Sequence, residues 1–180
     1  MSAGFAQESR SAVLAVSVSA DAGAVGAGTE RARIVGVSNS AEAAPSAVLI
    51  VEKKTFDLIN TERERRGLRA LAWSEDAAKL ARMHSQNMAR YHFFSHRGLD
   101  GSMVNDRAEK MGIFNWRAIG ENIAFNRGYD DPVRIAVEKW LESPSHKQNM
   151  LNKDWIESGL GVAISADGSY YFTQVFLLRK

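Results

Sequence analysis

The stretch Gly159–Leu178 reads GLGVAISADGSYYFTQVFLL, two apolar runs separated by a short polar break. The runs Gly159–Ser165 and Tyr170–Leu178 are rich in Val, Ile, Tyr, Phe and Thr, residues that suit a pleated surface. Asp167-Gly168 lies between them and marks a tight turn. The chain therefore closes on an antiparallel hairpin. A third strand is expected from Ala118 to Phe125, around the segment GENIA.

Upstream of these strands the apolar period is helical. Val48, Val51, Thr55, Leu58 and Ile59 recur on one face, and the helix ends at Arg65-Arg66-Gly67. Ser74 is a natural N-cap, with Glu75 and Asp76 in the first turn. A second helix follows, striped by Ala77, Leu80, Ala81, His84 and Met88. A third spans Ser102 to Met111 before Gly112. Asp131-Pro132 opens a fourth through Val133, Ala136, Val137 and Trp140, which Pro144 stops. Helices precede a closing hairpin, so the fold class is α+β.

Residues 1–47 differ in kind. They are rich in Ala, Gly, Ser and Val, with Phe5 as their sole aromatic, and supply little large apolar surface to offset ordering entropy. They are read as a flexible linker, dispensable for the fold of a domain covering 48–180. The other reading is a short strand at Arg33–Val37. The expected context is export through a leader upstream of Ser2, with the linker spacing the domain from the cell envelope.

Composition excludes several functions. The 180 residues include no cysteine, so neither disulfides nor thiol chemistry is available. The 23 Lys and Arg are interleaved with 21 Asp and Glu, as in Glu62–Arg69, and form no nucleic-acid tract. No run is long enough to span a membrane. A monomer is expected.

Four histidines are available: His84, His92, His96 and His146. His84 lies on an apolar stripe and reads as a core-edge residue with one hydrogen bond. His92 and His96 are four apart, but Phe93 stands where a helical zinc protease needs its glutamate. No G-x-S-x-G elbow supports a serine hydrolase. Gly159-Leu160-Gly161 precedes a strand, so it reads as a close-packed strand start rather than a phosphate loop. What remains is FFSH ending at His96, GEN with Glu121, and SPSH ending at His146. Two imidazoles and a carboxylate brought together can hold a divalent metal or move a proton. Glu121 is expected to bond one imidazole nitrogen and fix its tautomer. Gly120 is expected to permit close packing, and Asn122 to face away from Glu121 and bond a neighbouring loop's backbone.

Taken in series, NTERERRGLRALAW, FFSH, GENIA, the helix through Trp140, SPSHKQNML, GLGVA and YYFTQVF resemble the CAP superfamily, also called SCP-like, over about Phe56 to Phe176. The absence of cysteine and the W-x-x-S-P-x-H-x-x-N form resemble its bacterial branch. The resemblance implies an α–β–α sandwich with a small antiparallel sheet between helical layers. It implies a shallow cleft containing His96, Glu121 and His146. Ser143 stands where the family's eukaryotic members carry a second glutamate three residues after the helix tryptophan. With a serine in that place, the two imidazoles and one carboxylate of His96, His146 and Glu121 can still hold a zinc with one open position; otherwise no cofactor is expected. Family members are mostly secreted, and some bind lipid, glycan or protein ligands. The expected role is a secreted or envelope-associated binding module; the alternative is a zinc-dependent or acid–base hydrolase using the same cleft.

Overall fold

In a computed structural model of the chain, residues 10–19 and 45–180 are described. The elements in order are β1 (Arg10–Ser19), α1 (Pro45–Glu64), β2 (Ala72–Trp73), α2 (Glu75–Tyr91), α3 (Val104–Lys110), β3 (Ala118–Arg127), α4 (Pro132–Glu142), α5 (Pro144–Met150), β4 (Glu157–Ile164) and β5 (Tyr170–Leu178). The five strands form one sheet in the order β1-β3-β5-β4-β2.

The closing hairpin is β4–β5, with Ile164 opposite Tyr170. Its turn is fixed by Gly168, whose φ of 79° suits glycine and whose N–H donates to the Ser165 carbonyl. β5 then pairs antiparallel with β3. The sheet is mixed, not wholly antiparallel as expected. The two-residue strand β2 runs parallel to β4, because the chain returns from α1 alongside it. Two residues are too short for a periodic signal.

Alternation along the strands sorts the core into two layers. Phe172 and Phe176 of β5 and Ala124 of β3 pack with Phe56 and Ile59 of α1, Val137 and Trp140 of α4, and Met150 of α5. Ile119 of β3 and Val175 and Leu177 of β5 pack against Leu80 and Ala81 of α2 and Val104 and Ala108 of α3. The architecture is an α–β–α sandwich. Contact between α2 and β4 is direct. A Cβ on Gly159 would lie 2.1 Å from the Ala78 backbone nitrogen, and one on Gly161 2.0 Å from that of Arg82. These glycines let the helix axis approach the strand, as the close-packed reading requires.

The helix ends follow their sequence signals. Ser74 Oγ accepts from the Ala77 N–H at 3.4 Å, and Asp131 Oδ1 accepts from the Arg134 N–H at 3.0 Å. α2 stops at Tyr91, with His92 in the left-handed region at φ 53°. His92 and His96 therefore share no helical face. Pro144 does not leave irregular chain behind it. It is the first residue of a new helix, α5, where its missing N–H costs nothing.

β1 pairs antiparallel with β3 from Arg10↔Arg127 to Ser19↔Ala118. It lies inside the stretch assigned to a linker. Its residues RSAVLAVSVS carry enough Val and Leu to suit a strand. The alternative strand at Arg33–Val37 lies outside the described residues. α1 begins at Pro45, three residues before the expected start of the domain.

Candidate functional site

Glu121 occupies the middle of β3 and faces α2 and α3. Its carboxylate is buried. His96 Nδ1 donates to Oε1 at 2.7 Å, and Arg107 Nη2 donates to Oε2 at 2.5 Å. Burial pushes the Glu121 carboxyl up. The His96 hydrogen bond and the Arg107 charge together outweigh that and hold it below the ordinary carboxylate range. The carboxylate is therefore ionised, and His96 presents Nδ1–H to it. In the neutral imidazole this leaves the lone pair on Nε2. That Nε2 is buried and has no hydrogen-bond partner.

Arg107 does more than pair with Glu121. Its Nη1 donates to the carbonyls of His96, at 2.8 Å, and Ser102, at 2.9 Å. One guanidinium thus ties the loop carrying His96 to the strand carrying Glu121. His84 completes the group. Its Nε2 lies 4.0 Å from Glu121 Oε1 and donates to the Ser95 carbonyl at 2.8 Å. Burial pushes the His84 imidazole below its usual range, against the attraction of Glu121. The single hydrogen bond expected of His84 is present, but the residue also borders the buried carboxylate.

His146 and Ser143 are engaged with each other. His146 Nδ1 and Ser143 Oγ lie 2.6 Å apart at the start of α5. α5 packs on the face of β3 that carries Asn122, not Glu121. Asn122 Nδ2 donates to the His146 carbonyl at 3.2 Å, and Asn122 Oδ1 accepts from Asn149 at 3.1 Å. A Cβ on Gly120 would meet the Trp155 ring at 2.9 Å and Asn149 Oδ1 at 3.4 Å. Gly120 and Asn122 thus seat α5 and its following loop on the sheet. The neighbour of Asn122 is a helix backbone where a loop was expected.

The structure joins His96 to Glu121, and His146 to Ser143. Among the described residues no three His, Asp or Glu side chains form a group that could hold a metal. Both carboxylate oxygens of Glu121 already accept hydrogen bonds, one from a cationic guanidinium. This donor set does not fit the expected three-ligand zinc site.

Two members of the buried group escape the sequence reading. Arg107 occupies the apolar stripe of α3 with Val104 and Ala108, and a cation on such a stripe is the signal that could reveal it. His84 is visible as a residue, but its neighbour 37 positions along is not.

The chain belongs to the CAP family, the cysteine-rich secretory protein family, whose profile matches residues 56–176. It is 39% identical over 128 residues to the uncharacterized membrane protein YlbC of Bacillus subtilis (strain 168), covering 71% of this chain and 34% of that protein. It is 35% identical over 140 residues to the uncharacterized protein YkwD of the same organism, covering 78% and 52%. The chain thus spans about a third and about half of these curated relatives. Among solved structures it resembles an extracellular protein containing a SCP domain from Bacillus anthracis str. Ames, with TM-score 0.62 and 30% identity over 78% of this chain and 45% of that one. It shares the fold of an outer surface protein from Borrelia burgdorferi, with TM-score 0.64 and 24% identity over 71% and 92%. Among the described residues no helix is long and apolar enough to cross a membrane.

Proposed function

We propose that this chain is a secreted or envelope-associated binding module, and that His96 is its ligand-facing group. The observation that carries this reading is the His96–Glu121 pair. In the neutral ring, a carboxylate at 2.7 Å fixes the tautomer and leaves Nε2 as a buried hydrogen-bond acceptor without a protein partner. Such an atom costs free energy when nothing meets it. A lipid, glycan or protein group offering an N–H or O–H donor offsets that cost. The extracellular and outer-surface descriptions of the structural relatives support the location.

The test is ¹⁵N NMR of the histidine rings in the full chain, titrated with a soluble peptidoglycan fragment and, separately, with lysophospholipid micelles. The expected result is a saturable shift of His96 Nε2 with one of the two, and no change in the probe itself. Conversion of the probe in a His96-dependent way would replace the reading with a hydrolase. No response of His96 to either would overturn it in favour of a structural envelope domain.

A further inference from the structure

β3 is paired on one side by β5 and on the other by β1. β1 joins the domain through its backbone ladder, well ahead of the described apolar core, which starts at Phe56. Without β1, β3 would be an edge strand from Ala118 to Arg127, ten residues long, whereas the opposite edge strand, β2, spans two. A long edge with unpaired N–H and C=O groups recruits another strand. β1 is thus held in the manner of an added peptide strand, by main-chain hydrogen bonds along a sheet edge. The edge also has a wall, since α5 lies against β1.

The sequence of β1 shows what the edge accepts and where the fit is poor. RSAVLAVSVS is built from Ser, Ala, Val and Leu, with Arg10 its only charge. Arg10 stands opposite Arg127 in the ladder. Like charges at directly opposite positions destabilise a strand pair, and opposite charges stabilise it. Arg127 makes one ion pair among the described residues, from Nη1 to Asp167 at 2.9 Å. A guanidinium has donors for a second carboxylate. A second copy of this chain would bring the same arginine to the same place. A strand of like composition with a carboxylate at that position is better matched.

We propose that the outer edge of β3 is a docking groove for an extended segment of a partner protein, small and β-branched along its length and acidic where it meets Arg127. β1 is the tethered stand-in that this segment displaces. Docking sets the partner strand in register with Glu121, where Val16 now stands, beside the helix that carries His146. The inference does not depend on a ligand reaching His96 Nε2.

The test uses the full chain and its Leu14→Pro, Ala15→Pro double variant. Adjacent prolines remove a ladder N–H whichever of the two faces β3. The probes are the acetylated, fluorescently labelled peptide RSAVLAVSVS and its Arg10→Glu form, followed by anisotropy. The folded variant is expected to bind both saturably, the Glu form at least about threefold more tightly. The unaltered chain should bind the Glu form at least about tenfold more weakly than the variant does, because its own strand competes at an effective concentration on the order of mM. Arg127→Gln in the variant should erase the preference and keep the binding. In the unaltered chain, the β3 amides bonded to β1 should exchange with deuterium before those bonded to β5. Equal protection of the two sets, or a variant that does not fold, would make β1 an integral strand and end the proposal. It fails equally if the folded variant binds neither peptide, or binds the Arg form as tightly. That last result, with self-association of the unaltered chain, would put a second copy on the edge instead.

Discussion

Arg107 Nη2 and Glu121 Oε2 meet at 2.5 Å where α3 packs on β3, and both side chains are buried. This pair holds the candidate site together. Because Arg107 also donates to the His96 and Ser102 carbonyls, its loss releases the loop and strands a buried carboxylate. Arg107→Met is expected to cost about 3–5 kcal/mol, the range for breaking a buried pair from one side. Urea denaturation measures it. A cost below about 1 kcal/mol would show that the ion pair does not support the domain.

Acid should weaken the fold in two stages. Burial holds the folded His84 below the unfolded imidazole value near 6.5, so the unfolded chain binds the extra proton first. Stability from this group is present above about pH 6.5 and declines as pH falls below it. Glu121 is likewise held below its unfolded value, near 4.5, so its contribution is lost at lower pH. The urea midpoint should fall between about pH 7 and 5, and His84→Gln should flatten that part of the profile. A midpoint constant over that interval would contradict the assignment.

Asn122 bonds the His146 carbonyl and Asn149 within the interface of α5 and β3. Asn122→Ala leaves that carbonyl and amide without their Asn122 bonds at an otherwise buried contact. The expected loss is about 1–3 kcal/mol. A variant melting at the wild-type temperature would remove Asn122 from the structural account.

The packing of α2 on β4 predicts intolerance at Gly161. A Cβ there would sit 2.0 Å from the Arg82 nitrogen, which is backbone and cannot swing aside. Gly161→Ala should cost more than the about 1–3 kcal/mol typical of overpacking, or prevent folding. Near-normal circular dichroism and melting would mean the helix can lift off the strand.

Removing residues 1–44 tests the domain boundary. Among the residues whose burial is described, the buried apolar core falls between Phe56 and Leu177. The shortened chain is expected to melt within about 5 °C of the full one, a change of order 1 kcal/mol. Unfolding or aggregation would show that β1, paired along β3, is integral to the sheet.

The elements legible in the sequence share one property: their signals are local. The hairpin around Asp167-Gly168, the Ser74 cap, the Asp131-Pro132 start and the Gly67 stop each depend on residues a few positions apart. So does the alternation that turns Asn122 away from Glu121. β2 and α5 are missed for local reasons too. Two residues carry no period, and Pro144 serves equally as the end of one helix and the start of another.

By itself the sequence determined an α+β domain, the absence of thiol chemistry, membership expected from the motif series, and a bond between Glu121 and an imidazole. Only the tertiary structure decided which imidazole, and what else shares the carboxylate. Alternation along β3 puts Glu121 under α2 and α3, where Arg107 and His84 meet it, while α5 carries His146 to the face of Asn122. Arg107, His84 and His96 lie 14, 37 and 25 positions from Glu121, separations that no local pattern encodes. Their meeting depends on which face of one strand each helix covers, and that is settled by burying two apolar layers on opposite sides of a single sheet.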